Sequence, residues 1–138
     1  ARIQGMASDT NAMAAMISAL EDAGLEPDGV DVVLAAAGGY REEDEEEAQA
    51  IRRLFGSTRC AVLPLKSQVG ETLGASGPMA LVAALAILES QRLPPSQCRE
   101  RMGLPTVTAD PRELRMAVVN ALTPRGGRWV SLVLARQP

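Results

Sequence analysis

Residues 65 to 77 read LKSQVGETLGASG, and within these few residues stand an amine, Lys66, a carboxylate, Glu71, and two hydroxyls, Ser67 and Ser76. Lys66 with Glu71 or Glu47 suits a buried ion pair, the other reading being a lysine that reaches solvent. A carboxylate desolvated by apolar surroundings could instead serve as a general base. The chain contains no histidine. Neither serine therefore has the usual base to make it a nucleophile, and both read as cap and turn residues. The same lack leaves Cys60, in an apolar run, a small core thiol. Cys98 lies far from it without CxxC spacing, so a zinc site or disulfide framework is not expected, and free thiols in a reducing compartment are. Gly70, Gly74 and Gly77 do not form a P-loop, for no GK[ST] follows. They read as small residues where the turn packs closely on another backbone. The run EEDEEE at 42 to 47 suits a solvated helix start, favoured by the macrodipole, better than a metal site. No metal or cofactor is expected.

The elements that would position these groups follow from pattern. A short strand at 1 to 7 leads through N-cap candidates Ser8, Asp9, Thr10 and Asn11 into the helix NAMAAMISALEDAG, which stops at Gly24. Met13 and Met16 fall at helical spacing and line the core. VDVVLAAA reads as a strand buried on both faces, a helix spans roughly 42 to 55, and RCAVLPLK is another strand. GPMALVAALAILES is a helix with Pro78 near its first turn and almost no polar side chain. LPPS ends it and a looser segment follows. Residues 116 to 123 and 128 to 135 predict a closing hairpin around TPRGG, with Trp129 as a packing anchor or interface residue. The order is βαβαβαββ, an α/β chain with a mostly parallel, right-handed crossover sheet and one antiparallel edge. A helix as apolar as 78 to 88 needs cover on nearly all sides, which one layer of helices over a sheet does not supply.

Composition narrows the function. The 138 residues, 46% of them hydrophobic, suffice for one domain with a real core, and 1–138 is read as a single domain. A net charge of −3 and a single Trp, Tyr and Phe, with no Lys/Arg stripe, argue against nucleic acid or an anionic membrane as partner. The N-terminus has no signal pattern and no apolar run reaches the length of a membrane span, so a cytoplasmic protein is expected. The start without Met, directly on a strand, suggests a processed or split piece of something longer.

Several stretches carry a resemblance. LKSQVGETLGASG resembles the KSxxGHTLGASG stretch of β-ketoacyl-acyl-carrier-protein synthases. ALEDAGLEPDGVDVVLAAAGG resembles their ADAGLxPxDIDYVNAHGTGT, EAQAIRRLFG resembles ExxAIxxxFG, and AALAILESQRLPPS resembles a helix with its PPT continuation. The resemblance covers most of the chain and thins between about 98 and 115. It implies the C-terminal βαβαβαββ half of the thiolase-like fold, a mixed five-stranded sheet with a buried central helix packed between two such halves.

Active members of that family use a Cys from the N-terminal half and two His from the C-terminal half. The resemblance places Ala36 at one His position and Glu71 at the other, while Lys66 matches the family's Lys, whose implied role is electrostatic organisation. The NSFGFGGTN loop reads NALTPRGGRW here, keeping Asn120 and the Gly126–Gly127 pair but neither Phe. An ionised Glu only accepts hydrogen bonds and repels a developing enolate, and an alanine methyl offers no donor. The resemblance thus implies a catalytically degenerate subunit of chain-length-factor type. It would assemble with an N-terminal thiolase-fold half, an active ketosynthase, or both, in polyketide or fatty-acid-type biosynthesis. The carrier protein's phosphopantetheine arm would be used by that partner. Two other readings stand beside it: half of a working condensing or acyl-transfer enzyme whose Cys comes from another chain and whose base is Glu71, and a purely structural scaffold.

Overall fold

The computed structural model describes residues 1–94, 113–123 and 127–137. Strand β1 (Arg2–Asp9) leads into helix α1 (Ala12–Ala23). Asn11 is the N-cap that the sequence offers: its side chain accepts from the Ala14 N–H at 3.0 Å. Gly24 closes the helix with φ 62, a left-handed conformation that glycine adopts without strain. Then follow β2 (Val32–Ala35), α2 (Arg41–Phe55), β3 (Ala61–Pro64), a single helical turn α3 (Lys66–Val69), α4 (Ser76–Ser90), β4 (Met116–Thr123) and β5 (Arg128–Ala135). The hairpin strands have the expected bounds, whereas β2 and β3 are shorter than the apolar runs that predict them. β2 stops because the next two N–H groups, on Ala36 and Ala37, turn to the Glu47 carboxylate. β3 stops because Leu65 already has helical backbone. Cys60 is fully buried immediately before β3, while Cys98, Pro95, Ser96 and Gly126 lie outside the described residues.

The five strands form one mixed sheet in the order β1-β5-β4-β2-β3. β4, β2 and β3 run parallel, while β5 is antiparallel to both β4 and β1. This corrects the expectation of an antiparallel edge: the reversed strand is interior, and β1 is the edge. A hairpin fixes only one neighbour of β5, and its free side is the ladder that β1 takes up.

Alternation along the strands separates two cores. Val33, Ala35, Val118 and Val133 face α1 and α2, against Met16, Ile51 and Phe55. Trp129 is buried in this core, as a packing anchor. Val32, Leu34, Ala117, Val119 and Leu134 face α4, against Ala84, Ile87 and Leu88. Burying each large side chain stabilises by about 1.5–3 kcal/mol, so the helices are held to both faces by the strands' period of two.

Among the described residues α4 is covered on one side only. Ala80, Ala84, Ile87 and Leu88 are buried, whereas Val82 is 63% exposed. The helical segment Leu73–Ser90, with mean hydropathy 1.5, has the length and composition to cross a membrane, which corrects the expectation that no run would. A single such segment is weak evidence of a span, because a core helix of a soluble protein has the same composition.

Candidate functional site

The parallel strands β2, β3 and β4 end on the same side of the sheet, where crossover folds build their ligand sites. Ala36 follows β2, Lys66 follows β3, and Asn120 to Thr123 finish β4. Together with the start of α4 they line a cavity of about 360 Å³, with Ala36, Lys66, Ser76, Asn120 and Ala121 in its wall. The structure therefore brings together Ala36, Lys66 and Asn120, which the sequence singled out separately. Glu71 stands behind Lys66, outside the cavity wall.

Glu71 is heavily engaged. One carboxylate oxygen accepts from Lys66 Nζ at 2.8 Å, and the other accepts from Ser76 Oγ at 2.6 Å and the Leu73 N–H at 2.6 Å. The Lys66 side chain is 11% exposed and that of Glu71 24%. The Lys66 hydrogen bond, followed by that of Ser76, brings the Glu71 carboxyl down to about 2. A general base at this position needs the opposite shift, so the raised value expected of a catalytic Glu71 is overturned: at neutral pH the group is a fully ionised acceptor already occupied by donors. The ion pair itself, with Glu71 and not Glu47, is present. Ser67 Oγ donates to the Pro64 carbonyl at 2.7 Å, and Ser76 closes the Glu71 turn, consistent with turn roles for both.

The glycines of this stretch differ from expectation. Gly70 has φ 79 and ψ 177, a conformation open in practice only to glycine. Among the described residues, a Cβ at Gly70 or Gly74 would meet no atom within 4 Å, and one at Gly77 would touch Ala121 Cβ at 3.5 Å, an ordinary contact. Among the described residues, backbone conformation and not close packing accounts for Gly70.

The role that sequence reasoning missed is that of Glu47, named there only as an alternative ion-pair partner for Lys66. It belongs to the acidic run assigned to a solvated face, yet it is only 1% exposed. Oε1 accepts from the Ala36 N–H at 2.8 Å and Asn120 Nδ2 at 3.0 Å, and Oε2 accepts from the Ala37 N–H at 3.0 Å. Ser131 Oγ donates to Asn120 Oδ1 at 2.8 Å, completing a buried chain across three elements. Burial pushes the Glu47 carboxyl up, against the two backbone N–H bonds and Asn120, which favour the ionised form. These bonds fix the loop after β2, including Ala37 at φ 38, a left-handed conformation that costs a non-glycine residue about 1–3 kcal/mol. The signal was available: Glu47, Ile51 and Phe55 recur every fourth residue, so Glu47 continues the apolar stripe of α2. Among the described residues no group of three or more His, Cys, Asp and Glu is placed to hold a metal ion.

Comparison with known proteins puts this geometry in context. Residues 1–98 match the family model described as beta-ketoacyl synthase, C-terminal domain. The "Actinorhodin polyketide putative beta-ketoacyl synthase 2" of Streptomyces coelicolor is 36% identical over 115 residues, covering 80% of this chain and 28% of that protein. The 3-oxoacyl-[acyl-carrier-protein] synthase 2 of Mycobacterium bovis is 31% identical over 128 residues, covering 88% of this chain and 30% of that protein. The chain thus spans less than a third of the length of these relatives. Among solved structures, a ketosynthase in complex with its chain length factor from Xenorhabdus doucetiae superposes with TM-score 0.78 at 24% identity, over 98% of this chain and 39% of the other.

Proposed function

The chain belongs to the beta-ketoacyl synthase C-terminal domain family, and we propose that it is the C-terminal portion of a non-catalytic, chain-length-factor-type subunit of a condensing complex. In this reading residues 1–138 are one domain, Ala36 and Glu71 stand where the family's two His would act, and Lys66 is the retained Lys. The observation that carries it is the engagement of Glu71. Its carboxylate holds the ammonium of Lys66 and two further donors, so it offers an electron-rich acyl intermediate no donor and no vacant lysine. At Ala36 the backbone N–H is spent on Glu47, which leaves a methyl group toward the reacting position. The similarity to a beta-ketoacyl synthase 2 of polyketide type and to a ketosynthase with its chain length factor agrees with a cytoplasmic subunit that shapes a pocket while a Cys-bearing ketosynthase performs the chemistry. We place the N-terminal thiolase-fold half on the uncovered side of α4. The acyl carrier protein would meet the partner.

The test uses the complete protein with and without a Cys-bearing ketosynthase, following decarboxylation of a malonyl carrier protein and the products of condensation. The protein by itself should give no turnover above the uncatalysed rate. In the pair, Ala121→Phe, which fills part of the cavity, should shift the product distribution to shorter chains. Turnover by the protein without a partner, abolished in Glu71→Gln, would overturn the reading in favour of an active condensing enzyme. An unchanged product distribution would favour a scaffold that holds no acyl chain.

A further inference from the structure

We propose that Glu71 is an internal anion occupying a carboxylate-binding site made by Lys66, Ser76 and the Leu73 N–H, so that the adjoining cavity takes uncharged acyl chains and refuses acidic ones. The inference rests on the reading of this cavity as an acyl-chain site and names the class of chain.

Three donors converge on one carboxylate at 2.6 to 2.8 Å, and Thr72 supports the arrangement from behind with its hydroxyl 3.0 Å from Ser76 Oγ. A charged ammonium, a hydroxyl and a backbone N–H on one anion are the parts of a carboxylate site, charge-assisted at the lysine. Lys66 and Ser76 belong to the cavity wall and Glu71 does not. Among the described residues, Lys66 is the single ionisable side chain of that wall; Ala36, Ala121, Leu122 and Val130 give it an apolar character. Without Glu71 the cavity would present an uncompensated ammonium to any acidic ligand. With Glu71 in place the ammonium is neutralised by a group tethered within the same turn, whose effective concentration is about millimolar or above. A carboxylate entering from solvent must displace that tether or lie desolvated against apolar wall, and both are unfavourable. An uncharged chain meets neither obstacle.

The test is equilibrium binding of butyrate and butyramide, which share a tail and differ in charge, to the complete protein at neutral pH. Wild type should bind butyrate no more tightly than butyramide. Glu71→Gln, which keeps the shape and removes the charge, should gain about tenfold or more for butyrate and little for butyramide, by freeing a charge-assisted donor. Lys66→Met combined with Glu71→Gln should lose the gain, which separates charge from altered packing. A wild-type protein that prefers butyrate would overturn the proposal and needs no variant to show it. So would a folded Glu71→Gln protein without the gain. Either result would leave the non-catalytic reading standing, since turnover is what judges that reading.

Discussion

At Glu47 burial and hydrogen bonding pull in opposite directions, and burial prevails. A carboxyl whose folded value is raised binds its proton more tightly in the folded state, so it contributes stability below the ordinary value near 4.5 that is lost as pH rises through the raised one. Stability should therefore fall as pH is increased from about 4.5 in wild type, and this component should vanish in Glu47→Gln, as followed by Trp129 fluorescence in denaturant at a series of pH values. The amide introduced by Glu47→Gln would set an NH2 against the Ala37 N–H, and that unsatisfied buried donor should cost about 1–3 kcal/mol at low pH. Glu71 has the opposite sign. Its lowered value gives stability that is present above 4.5 and lost as pH falls toward about 2. Acid unfolding of Glu71→Gln should accordingly be less steep over that window than wild type, whatever the absolute stabilities. The sequence singled out both residues as partners for Lys66, and the structure gives that role to Glu71 alone. Glu71 stands in a glycine-rich turn beside Lys66, whereas the role of Glu47 in fixing the loop after β2 was hidden because it lies among acidic neighbours of the same chemistry.

The crossing of β1 and α1 depends on a glycine that the sequence did not mark. A Cβ on Gly5 would collide with the Ala19 carbonyl oxygen and approach the Ala23 nitrogen at 2.7 Å, both backbone atoms of a packed helix that have no rotamer by which to withdraw. Gly5→Ala should cost about 1–3 kcal/mol or more by overpacking, read as a lower denaturation midpoint with unchanged m-value. Elements held by local pattern were legible. Alternation of Trp129, Ser131 and Val133 with Val130, Leu132 and Leu134 defined β5, and Asn11 and Gly24 bounded α1. What pairs with what was less so. Nothing in β5 itself says that its second partner is β1, because a ladder is made by backbone atoms common to every residue, and the order of strands emerges only when helices cover both faces. The close approach at Gly5 is invisible for the same reason: its cause lies on α1, remote in sequence.

Among the described residues the two faces of the sheet are unequally covered. On the face of α1 and α2 the core is closed, while on the other α4 covers mainly β4 and its parallel neighbours. Ile3 pairs with Leu134 and Met6 stands opposite Leu132, both partners being of the α4-side core, so these two side chains lie on the same face. Ile3 is 55% exposed, Met6 59% and Val82 63%. A surface helix that leaves Val82 bare with no polar stripe is unstable to association unless another layer covers it, and each large side chain so covered stabilises by about 1.5–3 kcal/mol. The proposed N-terminal half supplies that layer, and a single substitution distinguishes a covered α4 from a bare one. Val82→Asp in residues 1–138 by themselves should leave stability within about 0.5 kcal/mol, as exposed substitutions do, and should reduce aggregation measured by light scattering. In the complete protein the same substitution buries an unpaired carboxylate between layers, and it should lower the melting temperature sharply or abolish soluble expression. Equal behaviour in the two contexts would mean that α4 meets water in both, and the second layer would then have to lie elsewhere.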